Sequence, residues 1–131
     1  MKTELLKTRI SVLWIWIAVA MSAHGLLGFM EPGGLEKIAE MEMGPWMLFG
    51  AALFWMIPLV MAFLTVTLKD SASCLVNMVM GGIGAPIAII HWVRGLKVYP
   101  TAHHGLIVIS TVVAMGLIFV YASKWWHKEE L

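Results

Sequence analysis

Five histidines stand in a chain that is otherwise poor in ionisable groups, and four of them, His24, His91, His103 and His104, fall inside or at the ends of long apolar runs. Neutral imidazole is the commonest protein ligand for haem iron, copper and zinc. Glu31 follows His24 by two helical turns on the same face, so its carboxylate can join a metal or hold an imidazole in one tautomer. His24, Glu31, His91, His103 and His104 are therefore the candidate metal set, the four histidines the cofactor-binding set, and haem b or copper the cofactor such a set would take. The alternative is that His91, His103 and His104 bond water and lipid head groups, while His24 bonds a backbone carbonyl or Ser110. No fixed spacing such as His-Glu-x-x-His is present, so only the fold can bring these residues together.

The elements that must position them are four apolar runs, at 10–30, 46–68, 72–92 and 102–122. Each is about 20 residues long, enough to cross roughly 30 Å of hydrocarbon. The chain has 131 residues, 60% of them hydrophobic and 13% charged, and the charges lie almost wholly outside these runs. The expected fold is all-α: a single integral membrane bundle of four transmembrane helices over 1–131. The first run is preceded by Lys2, Lys7 and Arg9 and looks at its start like a signal peptide, with small residues near Ala23. It continues to Met30, so a retained first span is expected.

Glu31-Pro32-Gly33-Gly34 stops that span, and Leu35, Ile38 and Ala39, set against Glu36, Lys37 and Glu40, predict a short amphipathic surface helix over 35–43 between spans one and two. Gly44-Pro45 breaks it, Trp46 anchors the next span at an interface, and Pro58 predicts a kink in mid-span. Lys69-Asp70-Ser71 turns into span three; Arg94, Lys97 and Tyr99-Pro100 form the next loop; Lys124 to Glu130 close the chain.

Lys and Arg decide orientation: Lys2, Lys7, Arg9, Lys69, Lys124 and Lys128 on one side outnumber Lys37, Arg94 and Lys97 on the other. This predicts an inner-membrane protein with both termini cytoplasmic, which puts His24, His91, His103 and His104 together in the outer leaflet. Span three carries a seam of small or polar residues, Cys74, Asn77, Gly81, Gly84 and Ala88 to His91, with Val76, Val79, Ile83, Ile87 and Ile90 on other faces. Such a seam lets backbones approach closely, so it is expected to point inward and carry His91 with it.

Eleven methionines invite a copper reading, with Met30, Met41 and Met43 near the outer loop, but Met47, Met56, Met61, Met78, Met80 and Met115 follow no common spacing and read as core filling. Of the tryptophans, Trp46, Trp92, Trp125 and Trp126 are expected at interfaces, and Trp14, Trp16 and Trp55 against lipid. Cys74 is the single cysteine and allows no internal disulfide; it reads as a packing residue.

The order of these features resembles an uncharacterised family of small four-helix bacterial integral membrane proteins, a domain of unknown function. The residues that carry the resemblance are Leu13-Trp14-Ile15 after a short basic start, Met30-Glu31-Pro32-Gly33 with Leu35-Glu36, Ile57-Pro58-Leu59, Asn77 followed by Gly81, and Tyr121 to Trp125. It covers most of the chain, implies the four-helix fold and says nothing of activity. The histidine set here is fuller than the family's.

A net charge of +1 without a basic cluster argues against nucleic acid as a partner. Lipid, further copies of the chain or a larger membrane complex are the expected partners. No Asp or Glu interrupts a span, which argues against a proton-coupled exporter, and there is no phosphate loop, serine-histidine-acid set or paired-cysteine motif. The expected function is thus a small binding or accessory subunit, non-enzymatic by itself, with an outer-leaflet histidine cluster. The alternatives are a haem-b or copper electron-transfer anchor, and a homo-oligomeric channel or carrier for a small neutral or hydrophobic solute.

Overall fold

The computed structural model describes residues 2–98 and 101–129. Five helices follow one another along the chain: α1 Lys2–Met30, α2 Gly34–Glu40, α3 Pro45–Thr67, α4 Asp70–Val98 and α5 Ala102–Glu129. All but α2 are long and apolar enough to cross a membrane. Tyr99-Pro100 of the expected loop and Glu130 of the expected tail lie outside the described residues.

The helices outrun the expected spans where the ends are polar and match them where the ends are capped. At α1 the segment from Lys2 to Arg9 joins the helix, because Glu, Leu, Lys and Arg are good helix formers and Glu4 sits in the favourable first turn. α3 differs from expectation by one residue at each end. There Pro45 occupies the first turn, where its missing N–H is not needed, and the extended Leu68 terminates the helix.

α2 is folded back on the end of α1 by a tight turn. Gly33 adopts φ +72, a left-handed conformation that favours glycine, and the Gly34 amide donates to the Glu31 carbonyl at 2.9 Å. Gly34 itself lies so close to the Gly28 carbonyl that a Cβ would collide with it.

The long helices close a ring in which α1 packs on α3 and α5, and α4 on α5, with α3 and α4 touching mainly near their connecting turn. Leu6, Ile10, Trp14, Ile17 and Met21 form the buried stripe of α1, at helical spacing. From α5 come Val108, Ala114, Ile118, Ala122 and Trp125. On α3 only Pro58, Met61, Ala62 and Thr65 are buried, whereas 46–57 are exposed throughout. Met47 and Met56 are thus on the outside rather than in the core.

Two expectations for aromatic residues are corrected. Trp14 is 1% exposed and faces inward, because its indole N–H has a partner there: it donates to Asn77 Oδ1 at 2.6 Å. Asn77 in turn donates to Thr65 Oγ1 and to the Ser73 carbonyl, so one amide ties α1, α3 and α4 together. Trp125 is also buried, near the Lys7 ammonium, which pairs with Asp70. Trp16 and Trp55 remain on the outside, as expected.

The seam of α4 does pack inward, but only for part of its length. A Cβ on Gly81 would stand 3.1 Å from the Phe119 backbone nitrogen, and Cys74 is buried with its thiol donating to the Ala122 carbonyl. An α-helix turns about 100° per residue, so a pattern that steps by threes and fours and falls short of 3.6 residues per turn drifts around the helix. His91 is 17 residues from Cys74 and lands about 100° away from it, while Trp92, 18 residues on, completes five turns and lies directly above. Accordingly Trp92 is 7% exposed and His91 is exposed, which corrects both the expected inward aim of His91 and the expected interface position of Trp92.

Candidate histidine site at the α2 end of the bundle

At the end of the bundle that carries α2, α1 presents His24 and α5 presents His104, 80 residues apart in sequence. Their Nδ1 atoms approach to 3.1 Å, with ring centroids 4.5 Å apart and planes inclined by 57°. Seven residues beyond His24, Glu31 accepts from His103 Nε2 at 2.8 Å, and Thr101 Oγ1 lies 3.3 Å from the same nitrogen. Ser110 turns to its own helix, donating to the Ile107 carbonyl, so it is not the partner of His24.

His104 is the most enclosed member, 2% exposed. Its seat is Gly95 of α4: a Cβ there would lie 2.9 Å from His104 Nε2, so any side chain at this position would displace the ring. That Nε2 is buried and has no hydrogen-bond partner among the described residues. Trp92 completes the packing, edge-on to His24 at 4.8 Å and to His104 at 5.6 Å between centroids. His91 touches this group only from outside, its ring 5.5 Å from Trp92.

Between these side chains and the underside of α2 is a cavity of about 180 Å³, lined by His24, Glu31, Lys37, Met41, His103 and His104. Four of the five expected site residues thus gather around one space, and His91 stands apart from it. No family model, curated protein or solved structure matches the chain. What this site can do rests on its own geometry.

The cavity is small. A water takes roughly 30 Å³ and the pockets of drug-sized ligands run to about 300–1,000 Å³, so the space suits an ion, a few waters or a small polar molecule. It does not suit haem b. An iron held between two histidines needs their nitrogens on opposite sides, about 4 Å apart at bond lengths near 2 Å. Here the nitrogens are 3.1 Å apart, and no flat ring fits between them. Among the described residues no three His, Cys, Asp or Glu side chains already converge on one metal position.

Sequence reasoning missed Gly95 and the roof residue Lys37; it named Met41 only in the copper reading that it set aside, and Trp92 only as an interface residue. The signal for Gly95 was present: it continues the run of small residues on α4 by one more step beyond His91. Trp92 follows from counting turns rather than from composition.

Proposed function

We propose that the chain is a small integral protein of the inner membrane, with both termini cytoplasmic, and that it serves as a binding or accessory subunit whose outward cavity takes a small polar or ionic ligand. The cavity walled by His24, Glu31, His103 and His104 is the observation that carries the binding reading. Four ionisable groups from two distant segments are held around one space, where scattered interface residues would each face water.

The exterior supports membrane insertion. Trp16, Val19, Leu26, Phe63, Ile83, Ile109 and Val113 all point outward and are more than half exposed. A surface of this kind is stable only when hydrocarbon or another apolar surface covers it. The polar side chains of α1, α3 and α4 are meanwhile satisfied inside, as spanning helices require. Lipid, further copies of the chain or a larger membrane complex are the partners this exterior fits, and the uncharacterised four-helix family remains the proposed kinship.

The test is native mass spectrometry with elemental analysis of the protein purified from its own membrane. A small species or ion carried by the wild type and lost in His104→Phe is the expected result. Wild-type protein that carries nothing, and whose stability no small polar ligand or metal ion raises, overturns the binding reading.

A further inference from the structure

We propose that the ligand of this cavity is a small neutral molecule with a primary amide or urea group, whose carbonyl oxygen accepts a hydrogen bond from His24 Nε2–H and whose own N–H donates to the Glu31 carboxylate. The proposal rests on the binding reading above and deepens it.

The placement of two ring protons carries the argument. His104 Nε2 is buried without a hydrogen-bond partner among the described residues, and it rests against Gly95, where a Cβ would stand 2.9 Å away. The hydrogen that glycine carries in place of that Cβ faces this nitrogen. A lone pair can rest against a C–H, as acceptors do in weak C–H contacts, whereas an N–H would set hydrogen against hydrogen and leave a buried donor stranded. His104 therefore keeps its proton on Nδ1, and the 3.1 Å contact runs from His104 Nδ1–H to the bare Nδ1 of His24.

Accepting that bond requires a neutral His24, whose own proton is then on Nε2. This N–H has no acceptor among the described residues, is not closed off by packing as His104 Nε2 is, and belongs to a ring that lines the cavity. The histidine pair thus offers the cavity one donor and no lone pair, since one lone pair is shut against Gly95 and the other is taken by His104. Such a wall recognises an acceptor atom.

Glu31 and Lys37 set the charge of the ligand. A carboxylate and an ammonium line the same small space and offset one another, which favours a neutral molecule over an anion or a cation. Glu31 accepts from His103 Nε2 at 2.8 Å, and a carboxylate has about four lone-pair sites, so it retains capacity for a donor of the ligand. An amide or urea group presents a carbonyl beside an N–H, the two functions that match this donor and this acceptor. A molecule of a few heavy atoms fits within about 180 Å³, given roughly 30 Å³ for each water.

The experiment uses the full chain with ¹⁵N-labelled histidine in lipid nanodiscs, titrated with acetamide. Protonated and bare ring nitrogens resonate far apart, so the spectrum before titration must show His104 protonated on Nδ1 and His24 on Nε2. Acetamide should then shift His24 Nε2 saturably and leave His91 in place. Acetate and methylammonium, similar in size but charged, should bind at least about tenfold more weakly. His24→Phe should weaken acetamide by about tenfold, the loss of one hydrogen bond, and His91→Ala should bind it as the wild type does. Because the phenylalanine variant can misfold, the wild-type spectra also decide alone: His104 protonated on Nε2, no shift at His24 Nε2, or an equal response to acetate or methylammonium overturns the neutral ligand. If protein purified from its own membrane then still carries another species that His104→Phe loses, the amide fails and the binding reading stands.

Discussion

Trp14 of α1 donates to Asn77 of α4 at 2.6 Å, a bond across the diagonal of a four-helix ring in which most contacts run between neighbours. Asn77→Ala would strand the buried Trp14 N–H and remove the amide's bond to Thr65, whose hydroxyl keeps the Met61 carbonyl as its acceptor. A loss of about 1 to 2 kcal/mol is expected, the upper part of the range for polar contacts between helices in lipid. A double-mutant cycle with Trp14→Phe, read from thermal midpoints in detergent, should show coupling of at least about 0.5 kcal/mol. Additive losses would mean that the two side chains do not meet.

Gly95 and Gly28 make opposite forecasts at the same end of the bundle. At Gly95 a methyl group would press on the His104 ring, so Gly95→Ala should break the His24–His104 contact and cost about 1 to 3 kcal/mol. At Gly28 a Cβ meets nothing within 4 Å, and Gly28→Ala should leave stability and the histidine spectra unchanged. Equal behaviour of the two variants would remove Gly95 from the site.

Close approach of α4 and α5 depends on Gly81, whose added Cβ would stand 3.1 Å from the Phe119 nitrogen and 3.3 Å from Ile118. Leucine there should push the helices apart and lower the thermal midpoint markedly, since packing against small residues replaces the hydrophobic effect between helices in lipid. A Gly81→Leu protein as stable as the wild type would show that this seam does not hold the pair together.

If the chain crosses the membrane as proposed, cysteines placed singly at Lys2 and Lys128 in a Cys74→Ala background should be labelled from the cytoplasmic side, and those at Lys37 and Lys97 from outside. Labelling of positions 2 and 128 from opposite sides would end the four-span arrangement. In the same background Gly28→Cys, on the cavity wall, should react with a water-soluble reagent from outside, whereas Ala114→Cys, 2% exposed, should not.

The sequence by itself determined the four long helices and their order, because unbroken apolar length is a property of each segment alone. It also determined the breaks at Gly33-Gly34 and Gly44-Pro45, where the backbone chemistry of glycine and proline is decisive, and the gathering of His24, Glu31, His103 and His104 at one end, since alternating helices return the chain to that end. Only the tertiary structure decided which faces turn inward. A helix that is apolar nearly all round carries little pattern to say which side will be covered, so the choice falls to its neighbours. Thus Trp14 turned in to meet Asn77, Trp92 took the inward place expected of His91 at the next step of the helical turn, and the His24–His104 contact arose because Gly95 left room for the ring on a helix that neither histidine belongs to.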